Sequence, residues 1–257
     1  MRRFLVLLAL LAPLAAVAAD CKYQAPRDLK ADLAGVRSVQ FMVNSYDLHV
    51  TGDSSASGLE LTGRACASSQ AVLDRLVVSQ HREGSRLVVE LGGNDHFSFS
   101  LFGDSSYSRL EANVKLPANL PVDIELGSGD ADVHGVAALD SHIGSGDLNV
   151  QHVAGKFSAS VGSGDIDAGD VGSVDVGSIG SGDFKVHGVK GDARIGSVGS
   201  GDVTLVDVGG SVQADTIGSG DLTVKNVGGD FSLGAKGSGD VNHSGVKGKV
   251  SVPRDDD

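Results

Sequence analysis

A four-residue word, Gly-Ser-Gly-Asp, begins at Gly127, Gly144, Gly162, Gly180, Gly199, Gly218 and Gly237. The intervals are 17, 18, 18, 19, 19 and 19 residues. A near-constant period of this size is the sequence signature of a solenoid, in which units too small to hide an apolar face bury it by stacking. Within the copy that starts at Gly218, apolar residues fall at Leu222 and Val224, at Val227, and at Phe231 and Leu233. Two h-x-h pairs describe two short strands with one buried face each, separated by corners. A helix is excluded, because the apolar spacing is two and glycine recurs every few residues.

The columns repeat from copy to copy. One reads Val136, Val153, Val171, Val189, Val208, Val227 and Val246, and the column after the word reads Ala131, Leu148, Ile166, Phe184, Val203, Leu222 and Val241. The expected fold is all-β: a right-handed parallel β-helix of about seven regular coils, ~4.8 Å apart, hence a rod on the order of 30 Å long. The glycines are expected to supply left-handed backbone at tight corners, and the corners to absorb the variation in period.

The aspartate that ends each word (Asp130, Asp147, Asp165, Asp183, Asp202, Asp221, Asp240) has two readings. Aspartate is a turn former whose carboxylate accepts from nearby backbone N–H groups. Stacked carboxylates ~5 Å apart also repel by roughly 1 kcal/mol per neighbour at water-like dielectric. Backbone donors or a cation must therefore offset the column. Calcium is the cation that oxygen ligands suggest, but the calcium-binding nonapeptide repeat has a different spacer and about half this period. The same seven aspartates are thus the weak cation candidates, with no cofactor otherwise expected.

Residues 20–116 show no such word. Alternation suggests strands over 38–43, 47–51, 59–64, 76–80, 87–91, 97–102 and 110–116, a hairpin at Glu83-Gly84, a short helix within 68–76 and a surface loop around 103–106. The first coil of a solenoid exposes unpaired backbone, so 20–116 is expected to cap 117–252, either as a separate unit or as wider, irregular coils. At the other end Pro253 and the acidic tail 253–257 are expected to blunt the open edge, with self-association through coil ends as the alternative.

Residues 1–19 have the form of a secretory signal peptide: Arg2-Arg3, an apolar run too short to span a bilayer, and small residues at 17–19. Asp20 before Cys21 argues against lipidation. Without the leader the net charge falls from −12 to −14, most of it in 117–257. Such a rod repels nucleic acid and anionic headgroups. Cys21 and Cys66 enter an oxidising compartment and are expected to pair, worth roughly 4 kcal/mol on the chain-entropy model. Localisation is expected to be periplasmic, secreted or at the cell surface.

The run Lys115-Leu116-Pro117 … Leu120-Pro121-Val122-Asp123-Ile124-Glu125-Leu126, followed by the repeated words, resembles the putative-adhesin family of bacterial envelope proteins. The resemblance spans roughly residues 38–252 and implies a right-handed β-helix at the envelope or surface, with no activity attached. With Pro253-Arg254-Asp255-Asp256-Asp257 where an autotransporter carries its membrane barrel, self-translocation through an outer membrane is not expected.

Catalytic motifs are lacking. There is no H-x-x-x-H, C-x-x-C, G-x-S-x-G or phosphate loop. The eight histidines do not converge by spacing; His134 and His187 share a column ~14 Å apart, and His243 takes a core-facing place in the last copy. Outward acids at Asp132, Asp140, Asp167 and Asp175 have no repeating basic partner, residues 117–257 hold no Trp or Tyr, and Thr204 and Thr223 are too few for an ice-binding face. The expectation is a non-enzymatic, exported interaction or structural module with an unidentified envelope or surface partner. The alternative is a Ca²⁺-dependent surface or polysaccharide-associated protein.

Overall fold

The computed structural model describes residues 21–92 and 107–253. The signal segment, the strand expected at 97–102, the loop at 103–106 and most of the acidic tail lie outside them. The described chain forms two sheets whose neighbouring strands are parallel throughout the repeats. One sheet takes the first strand of every coil, from Ala131–His134 through Leu148–Gln151, Ile166–Val171, Phe184–Val189, Val203–Val208 and Leu222–Val227 to Val241–Val246. The second strands (Ala138–Ile143 to Val250–Ser251) make the other sheet. The result is a β-solenoid of about seven coils.

Strict register makes each sequence column a file of stacked side chains. Leu148 pairs with Ile166, Ile166 with Phe184, Phe184 with Val203 and Val203 with Leu222. The valine file is buried from Val136 to Val227, with Val246 half-buried at the end. Phe157 and Phe184 stack with ring centroids 6.2 Å apart. Among the described residues Ser141 is the one buried polar side chain, and its Oγ donates to the Ser158 carbonyl at 3.3 Å.

Two expectations about the corners are corrected. No glycine of the repeated word has left-handed backbone. Positive φ runs instead through the residue before each valine: Gly135, His152, Asp170, Gly188, Asp207, Asn226 and Gly245, with φ between 55° and 75°. Asn, Asp, His and Gly are the residues that tolerate this region. Nor is the period adjusted at corners alone. Between the second and third coils the register slips after Ala159, and Gly177 becomes an extra residue in the strand Ser173–Ile179. A bulge of this kind inserts one residue while the strands on either side stay paired.

The amino-terminal half joins the same two sheets, in an order the sequence does not announce. Ser38–Val43 pairs in parallel with Pro121–Leu126 and, on its other side, with Arg86–Leu91. Asp47–Asp53 lies in parallel between Ala131–His134 and Ser108–Pro117. Residues 38–53 therefore form a coil directly below the first repeat, with Asn44-Ser45-Tyr46-Asp47 where the others have Gly-Ser-Gly-Asp. Ser128 N–H donates to the Asn44 carbonyl at 2.7 Å, and Leu48 N–H to the Asp130 carbonyl at 2.9 Å. The chain then travels outward, returns through Arg86–Leu91 and Ser108–Pro117, and passes its own earlier coil to reach the repeats.

Antiparallel strands close that end. Leu59–Ala67 pairs with Ser108–Pro117 on one side and with Tyr23–Pro26 and Leu29–Ala31 on the other. Val78–Glu83 forms a hairpin with Arg86–Leu91 through Gly84, at φ 62°. The strand expected at 76–80 begins later, because Leu76 ends the helix Gln70–Arg75. Ser69 caps that helix by accepting from Val72 N–H, and the Arg27 guanidinium donates to the Leu73 and Leu76 carbonyls at its other end. Cys21 and Cys66 are bonded, with Cα atoms 5.7 Å apart, tying the first described residue to the cap.

At the opposite end two inward positions that earlier coils fill with apolar residues are polar. His243 continues the file of Val224 but is exposed, its ring 5.9 Å from that of Phe231. Its expected place in a buried core is not realised, since among the described residues no further coil covers it. Lys236 likewise takes the inward place held by Ile217 one coil earlier. Polar groups at inward positions are a known way to blunt a sheet end. The double variant Lys236→Ile, His243→Val is expected to sediment as a larger species than the unaltered chain at equal concentration. Unchanged sedimentation would remove these residues from the end-blocking role.

Candidate functional site

The aspartate column is a hydrogen-bond ladder. Each carboxylate Oδ1 accepts from the backbone N–H of the aspartate one coil on: Asp130 from Asp147 (3.2 Å), Asp147 from Asp165 (3.2 Å) and Asp165 from Asp183 (2.8 Å). The series continues from Asp183 to Asp202 (3.4 Å), Asp202 to Asp221 (2.8 Å) and Asp221 to Asp240 (2.9 Å). Six of the seven candidate carboxylates thus spend one oxygen on holding the next coil in register. Backbone donors offset the stacked charge, as amide groups do for a capping aspartate. A second ladder, not anticipated from the sequence, runs at the other corner. Asp192 accepts from Ser211 N–H (2.7 Å), Ser211 Oγ from Asp230 N–H (3.1 Å), and Asp230 from Lys249 N–H (2.7 Å). Its signal was present as Asp192, Ser211 and Asp230 following a corner glycine.

Asp165→Ala is expected to lower unfolding free energy by about 1 kcal/mol, the usual value of a capping acceptor, and Asp165→Asn by less. Melts in excess EDTA and in millimolar Ca²⁺ should coincide. A large Ca²⁺-dependent rise in midpoint would assign the column to the cation instead. Among the described residues no group of three or more His, Cys, Asp or Glu side chains is placed to hold a metal ion.

The outer face of the first sheet carries an open groove of about 730 Å³ over the first four repeats, lined by Asp130, Asp132, Asp147, Asp165, Asp167, Asp183, Lys185 and His187 among others. The acids are not evenly loaded. Successive coils starting at residues 127, 144, 162, 180, 199, 218 and 237 carry net charges of −3, 0, −4, +1, −3, 0 and +1. Within the seven repeats the strongly acidic coils alternate with neutral or basic ones, which limits repulsion at a spacing near 4.8 Å. Specific pairs follow this alternation: Lys156 with Asp175 at 3.4 Å and Arg194 with Asp215 at 2.7 Å. A hydrogen bond from Lys185 to Asp183 Oδ2 raises the lysine pKa. On the second sheet, burial pushes the Asp123 carboxyl up, opposed by Arg86 at 3.6 Å and reinforced by Asp140. Its charge is therefore disfavoured by folding, and that penalty fades as pH falls through its raised pKa.

The histidines are less scattered than their spacing implies. His134 and His152 belong to different columns of adjacent coils, yet their ring centroids are 4.8 Å apart. His152 Nε2 lies 3.4 Å from Asp170 Oδ2. His49 and Asp132 pair at 2.8 Å.

No protein-family model and no curated protein matches the chain. Solved structures match it at low identity. A putative lipid binding protein from Parabacteroides distasonis superposes with a TM-score of 0.50 at 16% identity, over 88% of this chain and 96% of that one. A putative adhesin from Bacteroides fragilis gives 0.48 at 15% identity, over 90% and 98%. A putative cell adhesion protein from Clostridium sporogenes gives 0.36 at 11%, over 90% and 99%. For the first of these, at 16% identity, the likeness is one of fold. Among the described residues no helix is long and apolar enough to cross a membrane.

Proposed function

We propose that the chain is an exported, non-enzymatic β-solenoid that works as an adhesin-like structural interaction module of the bacterial cell envelope. The observation that carries this reading is how the polar groups are used. The recurrent aspartates are engaged by the next coil, the interior is filled with side chains, and what is left for contact is the extended outer face of each sheet. Solenoids recognise partners through such broad surfaces. The Cys21–Cys66 bond fits an oxidising compartment. The test is fractionation of producing cells with thiol alkylation, followed by retention of envelope extract on the immobilised chain. The expected result is an exported protein with both cysteines oxidised, and retention lost when Asp132 and Asp167 are both changed to lysine. Cytoplasmic protein with free thiols, or retention indifferent to the outer-face changes and matched by an unrelated acidic β-solenoid, would overturn it.

A further inference from the structure

One arrangement on the outer surface is used neither by the core nor by the corner ladders. His134 ends the strand Ala131–His134, and His152 follows the strand Leu148–Gln151 in the next coil. Their centroids stand 4.8 Å apart with the rings inclined by 51°. Two imidazoles that share one tetrahedral ion, at metal–nitrogen distances of ~2.0–2.1 Å, have centroids about 5 Å apart. The pair is therefore spaced for a common ion before one arrives.

Asp170 supplies the outer support such a site needs. Its Oδ2 lies 3.4 Å from His152 Nε2. Donation of Nε2–H to that carboxylate leaves Nδ1 with its lone pair and fixes the ring, as in carboxylate–histidine–metal arrangements. His81 lacks this freedom. It has Glu83 at 3.3 Å from Nε2 and Glu90 at 3.4 Å from Nδ1, so both ring nitrogens face carboxylates. His152 is also held with left-handed backbone, φ 62°, in a column where Gly135 and Gly188 do the same work without a β-carbon. Asp170, Asp207 and Asn226 also keep a side chain at this strained position.

We propose that His134 and His152 form a two-histidine site for a borderline divalent cation of the zinc or nickel class, with Asp170 positioning His152. No third His, Cys, Asp or Glu among the described residues joins them, so water completes the shell and the ion exchanges freely. Imidazole ligands select these metals over calcium, which takes oxygen ligands.

The experiment is calorimetric titration of the full exported chain with Zn²⁺, and separately with Ca²⁺. One equivalent of Zn²⁺ should bind at micromolar concentration, and Ca²⁺ at the same concentration should give no signal. His152→Gly should abolish that equivalent while leaving the melting temperature undiminished, because the column accepts glycine. His134→Gln should abolish it too, Asp170→Asn should weaken it by about tenfold or more, and His81→Gln should change nothing. Zn²⁺ binding that survives in both His152→Gly and His134→Gln, or none below 1 mM in the unaltered chain, overturns the proposal.

Discussion

Replacing Gly164 by alanine is expected to lower unfolding free energy by at least ~3 kcal/mol, far more than an outward substitution one residue away. A β-carbon built on Gly164 would lie 1.8 Å from the Gly146 carbonyl oxygen and 2.9 Å from its carbon. The obstacle is backbone, and that backbone is itself fixed: Ser163 N–H donates to the Gly144 carbonyl at 2.8 Å, and Asp165 N–H to Asp147 Oδ1 at 3.2 Å. Room for one methyl requires two coils to part at this corner, with loss of both bonds. Ser163→Ala, at an exposed position, should stay within ~0.5 kcal/mol. Gly164→Asn separates spacing from backbone conformation, since asparagine suits positive φ but brings the same β-carbon. It should be at least as damaging as alanine. Equal denaturation midpoints for Gly164→Ala and Ser163→Ala would show that coil spacing does not dictate the glycine.

Gly164, the second glycine of its word, shows how far the fold can be read from sequence alone. Period, strand spacing and interior files follow from one-dimensional spacing, because in-register stacking maps columns directly onto space. The reason for the glycine does not, since a close approach between residues 18 apart leaves the same mark as a tight turn. The coil at 38–53 was illegible for a related cause. Asn44-Ser45-Tyr46-Asp47 does the corner's work without its glycines, and the coil it completes is separated in sequence from Pro121–Leu126 by the whole cap. The His134–His152 approach joins two different columns across a left-handed residue, so no count along one column could reveal it. The aspartate ladders were half legible. The need for backbone donors followed from charge, while the choice of the next coil's N–H as donor follows from parallel register.

Phe184→Ala is expected to remove about 3–5 kcal/mol, the range for truncating a fully buried phenylalanine. The ring stacks on Phe157 at 6.2 Å and fills the file between Ile166 and Val203, so its loss leaves a cavity bounded by residues of three coils. Phe184→Leu should cost much less, because leucine already fills the same column at Leu148 and Leu222. The position along the rod adds a second consequence. In a solenoid stability is close to a sum of coil and nearest-neighbour terms, so cooperativity passes largely through each interface in turn. A cavity in the fourth of seven repeats weakens the link between the half tied to the disulfide-bonded cap and the half ending at the blunt polar coil. Denaturant unfolding of Phe184→Ala should therefore show a shallower or two-step transition, the carboxyl-terminal coils melting first, where Phe184→Leu keeps a single steep one. A single transition in both variants, with equal slope, would mean that the coils unfold as one block and that nearest-neighbour coupling does not limit this rod.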